Sequence, residues 1–158
     1  MKATDDGRRC PLSPGPIALH ETVALGLYSP DLIDRTTGKV KKEALKTEVL
    51  MKQVHTDLCG ESTGLSVARL LGATSDEELR STIKEVASRP KKDGEPRSIF
   101  GYATVAVQWL DEHSATVLDD GKLGFTCHAV VRTEMSRGEV RKLREDLIAE
   151  LNKNVRPW

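Results

Sequence analysis

The sequence predicts an α+β fold, an antiparallel sheet of about four to five strands packed against two principal amphipathic helices, and three observations carry that reading. Short runs rich in apolar and β-branched residues recur between turn signals, at Val23–Leu27, at Leu65–Arg69 and three times between Ile99 and Thr133. Two stretches instead repeat their apolar residues near the helical period, and each opens on a serine with glutamate three positions later, Ser75 with Glu78 and Ser136 with Glu139. The composition of the 158 residues, 38% hydrophobic and 30% charged, is that of one globular domain able to bury its own core.

In chain order, residues 1–15 mix Asp5, Asp6, Gly7, Arg8, Arg9, Pro11, Pro14 and Gly15, which oppose helix and strand alike and predict a mobile tail ahead of a single domain over 16–158. Apolar density begins at Ile17, and Val23, Leu25 and Leu27 alternate as in a half-buried strand. Asp34-Arg35-Thr36-Thr37-Gly38-Lys39 reads as a turn, because Gly38 tolerates the positive φ that closes one. Between Val40 and Met51 a short helix would turn Val40, Leu45 and Val49 inward. Leu65-Ser66-Val67-Ala68-Arg69 suits a short strand.

Ser75 to Arg89 is a capped helix with Leu79, Ile83 and Val86 on one face, ended by Pro90, and Pro90–Pro96 is an exposed loop. Ile99–Leu110, Ala115–Leu118 and Gly124–Thr133 are then three strands of an antiparallel meander, separated by turns at Asp111-Glu112-His113 and Asp119-Asp120-Gly121. The last helix, capped by Ser136, carries Val140, Leu143, Leu147, Ile148 and Leu151 on the side that meets the sheet.

Composition narrows function more by exclusion than by assignment. Lys plus Arg equals Asp plus Glu at 24 each, so any basic surface must be local. Cys10, Cys59 and Cys127 are odd in number and far apart, which suits reduced thiols better than disulfides or a thiolate zinc site. No apolar run reaches membrane-spanning length and no secretory leader is recognised, so the expected setting is the bacterial cytoplasm, with no membrane association, no cofactor and no metal. The phosphate-loop, dinucleotide, zinc-protease and nucleophile-elbow motifs are missing.

The candidate chemical groups are few. His20, His55 and His113 lack paired ligands, and the adjacent Cys127 and His128 would point to opposite faces of a strand. His128 stands out because a titratable ring inside a strand is costly to bury without a partner; a satisfied structural histidine is the competing account. Cys59 near His55 and Asp57 suggests an activated thiol, against an incidental loop cysteine. Ser66 and Arg69 would present a hydroxyl and a guanidinium to an anion, although an ordinary surface ion pair of Arg69 is the favoured account. Arg35, Lys39, Lys41, Lys42 and Lys46 form a basic patch diluted by Asp34, Glu43 and Glu48 and free of interleaved aromatics.

The order Asp34-Arg-Thr-Thr-Gly-Lys39, Gly64-Leu-Ser-Val-Ala-Arg69, a strand near Val105 and then His128-Ala129 resembles small bacterial proteins in which a Leu-Ser-Val-x-x-Arg-like segment precedes a late His-Ala strand. The likeness spans roughly residues 25–131, and Arg69 departs from its register by one position. It implies no activity, but it makes Ser66, Arg69 and His128 expected neighbours. The leading expectation is therefore a non-enzymatic accessory or protein-binding domain. The alternatives are an enzyme or anion-binding domain using Ser66, Arg69 and His128, and nucleic-acid binding through residues 35–46.

Overall fold

The computed structural model describes residues 14–29, 32–34, 36–41, 45–51, 65–70, 77, 80, 98–119 and 128–157. Eight strands and three helices occur among them: β1 Thr22–Ser29, β2 Ile33–Asp34, β3 Lys39–Val40, α1 Thr47–Met51, β4 Leu65–Arg69, β5 Ser98–Ala106, α2 Val107–Glu112, β6 Ala115–Asp119, β7 His128–Thr133, α3 Arg137–Asn152 and β8 Val155–Pro157. Six strands form one antiparallel sheet in the order β6-β7-β4-β1-β5-β8, and β2 and β3 form a separate hairpin. The α+β class holds, with more strands and one more helix than the sequence predicts.

Strand β1 is central because its alternation is clean. Val23, Leu25 and Leu27 enter the main core, where Val67, Ala103, Val105, Ala129 and Val131 meet Val140, Leu143, Leu147 and Leu151 of α3. Each fully buried valine or leucine side chain there contributes about 1.5–3 kcal/mol relative to exposure. The opposite sheet face is covered as well, with Ala24, Ala68 and Tyr102 in a second buried cluster. Helix α3 begins as expected: the Glu139 carboxylate reaches back to accept from the Ser136 amide at 3.4 Å and hydroxyl at 2.7 Å. The β2–β3 turn also forms as read, with Gly38 at φ 68° donating to the Asp34 carbonyl at 2.7 Å.

The expected three-strand meander is corrected. Within the six-stranded sheet only β6 and β7 are sequential neighbours; β5 lies between β1 and β8, with three strands between it and β6. The continuous strand expected over Ile99–Leu110 stops at Ala106, opposite Thr22, because the partner chain turns away at Glu21. The Val107 amide then bonds the Glu21 carbonyl at 3.0 Å, and Val107 and Leu110 bury one face of a helical turn instead. Local β propensity yields to the loss of a neighbouring strand. A shift in the β1–β5 register leaves Phe100 as an extra residue, packed half-buried on the core.

The short helix expected before Met51 is α1, and the second predicted strand pair is β6 with β7. The predicted helix Ser75–Arg89 and loop 90–96 lie outside the described residues, apart from helical positions 77 and 80. Strand β8, which nothing in the sequence announced, is admitted by Gly101: a Cβ there would collide with the Arg156 carbonyl.

Two outcomes follow. Leu147→Ala leaves a cavity beneath α3 and costs about 2–5 kcal/mol in urea denaturation. Gly101→Ala lifts β8 from the sheet, so amide hydrogen exchange accelerates at Ala103 and Val155 while the β6–β7 pairing keeps its protection.

Candidate functional site

The densest polar constellation of the described residues lies where β4 ends. Leu65, Val67 and Arg69 share one parity, so the strand that buries the first two also carries the guanidinium into the core side of the sheet. Arg69 is 2% exposed. A buried cation is tolerated only when its donors are met, and here every one is.

The Nε–H donates to Glu21 Oε1 at 2.9 Å. One terminal nitrogen, Nη2, donates to Glu21 Oε2 at 3.0 Å and to the Pro16 carbonyl at 3.1 Å. The other, Nη1, donates to the Gly15 carbonyl at 2.7 Å and to Asp119 Oδ1 at 3.1 Å. The paired bonds to Glu21 have the fork geometry that lysine cannot supply. Glu21 is itself held, since its Oε2 accepts from the Ala18 amide at 2.6 Å.

Each acceptor arrives by a local cause. Glu21 stands just before β1, and its backbone carbonyl also takes the first amide of α2. Asp119 closes β6 opposite Ala129, on the core-facing parity of the sheet. Gly15, at φ 117°, and Pro16 bring the chain across the sheet end; the expected tail thus closes with an anchored residue, and residues 1–13 lie outside the described ones. Beside this cage runs a cleft of about 540 Å³ lined by Pro14, Pro16, His20, Glu21, Arg69 and Leu70, among others, with His20 exposed at its rim.

The three expected neighbours do not share a pocket. His128 pairs with Ala68, and Ser66 with Val130, which puts Ser66 and His128 on one face in diagonal register, roughly 7–8 Å apart. Arg69 pairs with Val23 on the other face. Ser66 is exposed, whereas His128 is buried at 2% and is not without a partner. Arg69 has no N–H left with which to hold an anion, and two carboxylates already face it.

Cys10, Cys59, Cys127, His55, Asp57, Arg35 and Lys42 lie outside the described residues. Lys39 and Lys46 are exposed and Lys41 is half-buried. No group of three or more His, Cys, Asp or Glu is placed to hold a metal among the described residues. No helix among them is long and apolar enough to cross a membrane.

A second, smaller hollow of about 200 Å³ lies between the end of α2 and α3, lined by His113, Met135, Glu139, Lys142, Leu143 and Asp146. His113 closes it by stacking on Trp109, ring centroids 3.7 Å apart, with Nδ1 at 2.7 Å from the Trp109 carbonyl.

Glu21 and Asp119 were not singled out by sequence. The available signal was the parity of Leu65, Val67 and Arg69, which turns a cation toward the apolar face and so demands buried acids elsewhere. Comparison of the chain with protein-family models, with curated proteins and with solved structures finds no match.

Replacing Arg69 tests the cage. Arg69→Met takes the cation away from the two carboxylates that face it and lowers unfolding free energy by about 3–5 kcal/mol. Arg69→Lys, with three donors and no fork, recovers only part of the loss in the same denaturation experiment.

Proposed function

We propose that this protein is a small bacterial, cytoplasmic accessory domain that holds another macromolecule and performs no chemistry of its own. One observation carries the reading: the most concentrated charged cluster of the described residues is closed on itself. A catalytic or anion-binding arginine must offer donors to something that comes and goes. Arg69 spends all five on its own chain, within 3.1 Å. The cluster is a structural clamp, and the sheet end is an anchoring point.

The reading that keeps a small-molecule site draws support from the cleft beside the clamp, which carries the exposed imidazole of His20. That ligand would have to be cationic or neutral, since Glu21 borders the cleft and the guanidinium is already neutralised.

Immobilised protein exposed to native lysate separates the two. The accessory reading expects a stoichiometric macromolecule, retained equally by wild type and by His20→Ala, a substitution at an exposed position that leaves the fold intact. A small molecule recovered by mass spectrometry from wild type and lost from His20→Ala sinks it.

A further inference from the structure

Charge on α3 is sorted across the helix. Successive residues advance by about 100°, so positions four and seven apart fall on one flank. Arg137, Arg141 and Arg144 stand in that relation. Glu139, Asp146 and Glu150 fall on the opposite flank, where Asp146 meets Lys142 at 3.8 Å and Glu150 meets Lys153 at 3.3 Å. Among the described residues no ion pair joins any of the three arginines to an acid, and the Nε of Arg144 is buried without a hydrogen-bond partner.

The arrangement runs against helix electrostatics. Like charges one turn apart repel, and cations at the first turns meet the positive end of the helix dipole. Glu145, one turn after Arg141, is exposed and forms no ion pair with it.

The flank continues onto a second basic surface. Asn152 lies three turns beyond Arg141 on the same side of α3, and its Oδ1 accepts from the Val40 amide at 2.8 Å. This bond holds Lys39 and Lys41, the neighbours of Val40, at the C-terminal end of that side of α3. Helix α1, which Lys46 precedes, also packs against α3. These neighbouring elements together carry six cations, Lys39, Lys41, Lys46, Arg137, Arg141 and Arg144, of which Lys41 and Arg144 are half-buried.

We infer that this surface binds the phosphodiester backbone of a nucleic-acid duplex without reading its sequence. The inference rests on the macromolecule-binding reading above and names the partner class. Arginine forks suit phosphate, and the rise along α3 sets Arg137 and Arg141 about 6 Å apart, a separation like that of successive phosphates on one strand. Among the described residues the surface presents no exposed aromatic on which unpaired bases would stack: Tyr102 is buried, Phe100 packs half-buried on the core, and Trp109 is stacked by His113 near the opposite flank. A protein partner would call for an apolar or aromatic centre, and this flank offers only half-buried Ile148. A membrane would call for an exposed apolar stripe, whereas Val140, Leu143, Leu147 and Leu151 are buried.

The test is fluorescence anisotropy of a labelled short DNA duplex with the whole chain, titrated across salt. Wild type binds, and affinity falls linearly on logarithmic axes with a slope of about −0.9 per phosphate neutralised. Arg137→Gln with Arg141→Gln, both exposed, lowers low-salt affinity at least about tenfold and flattens the slope by roughly 2. Lys142→Gln with Lys153→Gln removes the same charge from the other flank and leaves both quantities unchanged. No binding at low salt, equal losses in the two double variants, or no loss in either overturns the inference, as does an arginine-dependent preference for anionic vesicles over duplex. A stoichiometric protein partner without duplex binding overturns it too but leaves the accessory reading standing, whereas a small-molecule ligand lost with His20→Ala removes both.

Discussion

A buried guanidinium is expensive, and the architecture is arranged around meeting that expense. Desolvating one cation and two carboxylates is favourable only if the geometry is good and no donor is wasted. Arg69 achieves this with acceptors on four residues: the carbonyls of the adjacent Gly15 and Pro16, the carboxylate of Glu21 ahead of β1, and that of Asp119 at the end of β6. The same Glu21 whose side chain forks onto Arg69 gives its carbonyl to α2. The point at which β5 gives way to α2 and the point at which β4 ends are therefore tied to a single residue.

This explains why the polar centre of the molecule is a poor place to look for chemistry. A guanidinium that must be saturated to be buried has nothing left to give a ligand, and a histidine carried by the neighbouring strand on the opposite face cannot cooperate with it. On α3, Asp146 and Glu150 are ion-paired to lysines, whereas among the described residues no acid pairs with Arg137, Arg141 or Arg144, and the apolar stripe of the same helix closes the core.

Much of this fold was written in local pattern. The alternation of Val23, Leu25 and Leu27, the serine–glutamate box of α3 and Gly38 in its turn each depend on residues within a few positions of one another, and each forms as read. What the sequence concealed depends on distant partners. Strand β5 looks longer than it is because nothing near Val107 signals that β1 has no residue left to pair with it. Strand β8 is three residues long and exists because Gly101 leaves room for it. The meander failed for a related reason: short turns were inferred between strands that a helix in fact separates. At the candidate site, alternation placed Arg69 correctly in its strand, but its acids come from positions 48 residues before it and 50 after it, beyond the reach of any spacing rule. Ser66 and Arg69, close in sequence, are parted by the pleat itself.

The clamp also has a direction in time. Its acceptors at Gly15, Pro16 and Glu21 leave the ribosome before Arg69 does, whereas Asp119 follows later, and the α3 stripe that roofs the core follows later still. Closing such separated contacts carries a loop-entropy cost that is recovered only when the last partner arrives. A nascent chain that ends before β6 thus has its cation held from one side alone, with the core face of β1 and β4 uncovered. The domain consequently commits to its sheet late in synthesis, in a step that joins its two halves, and the interval before that step is when the growing chain is most exposed to aggregation.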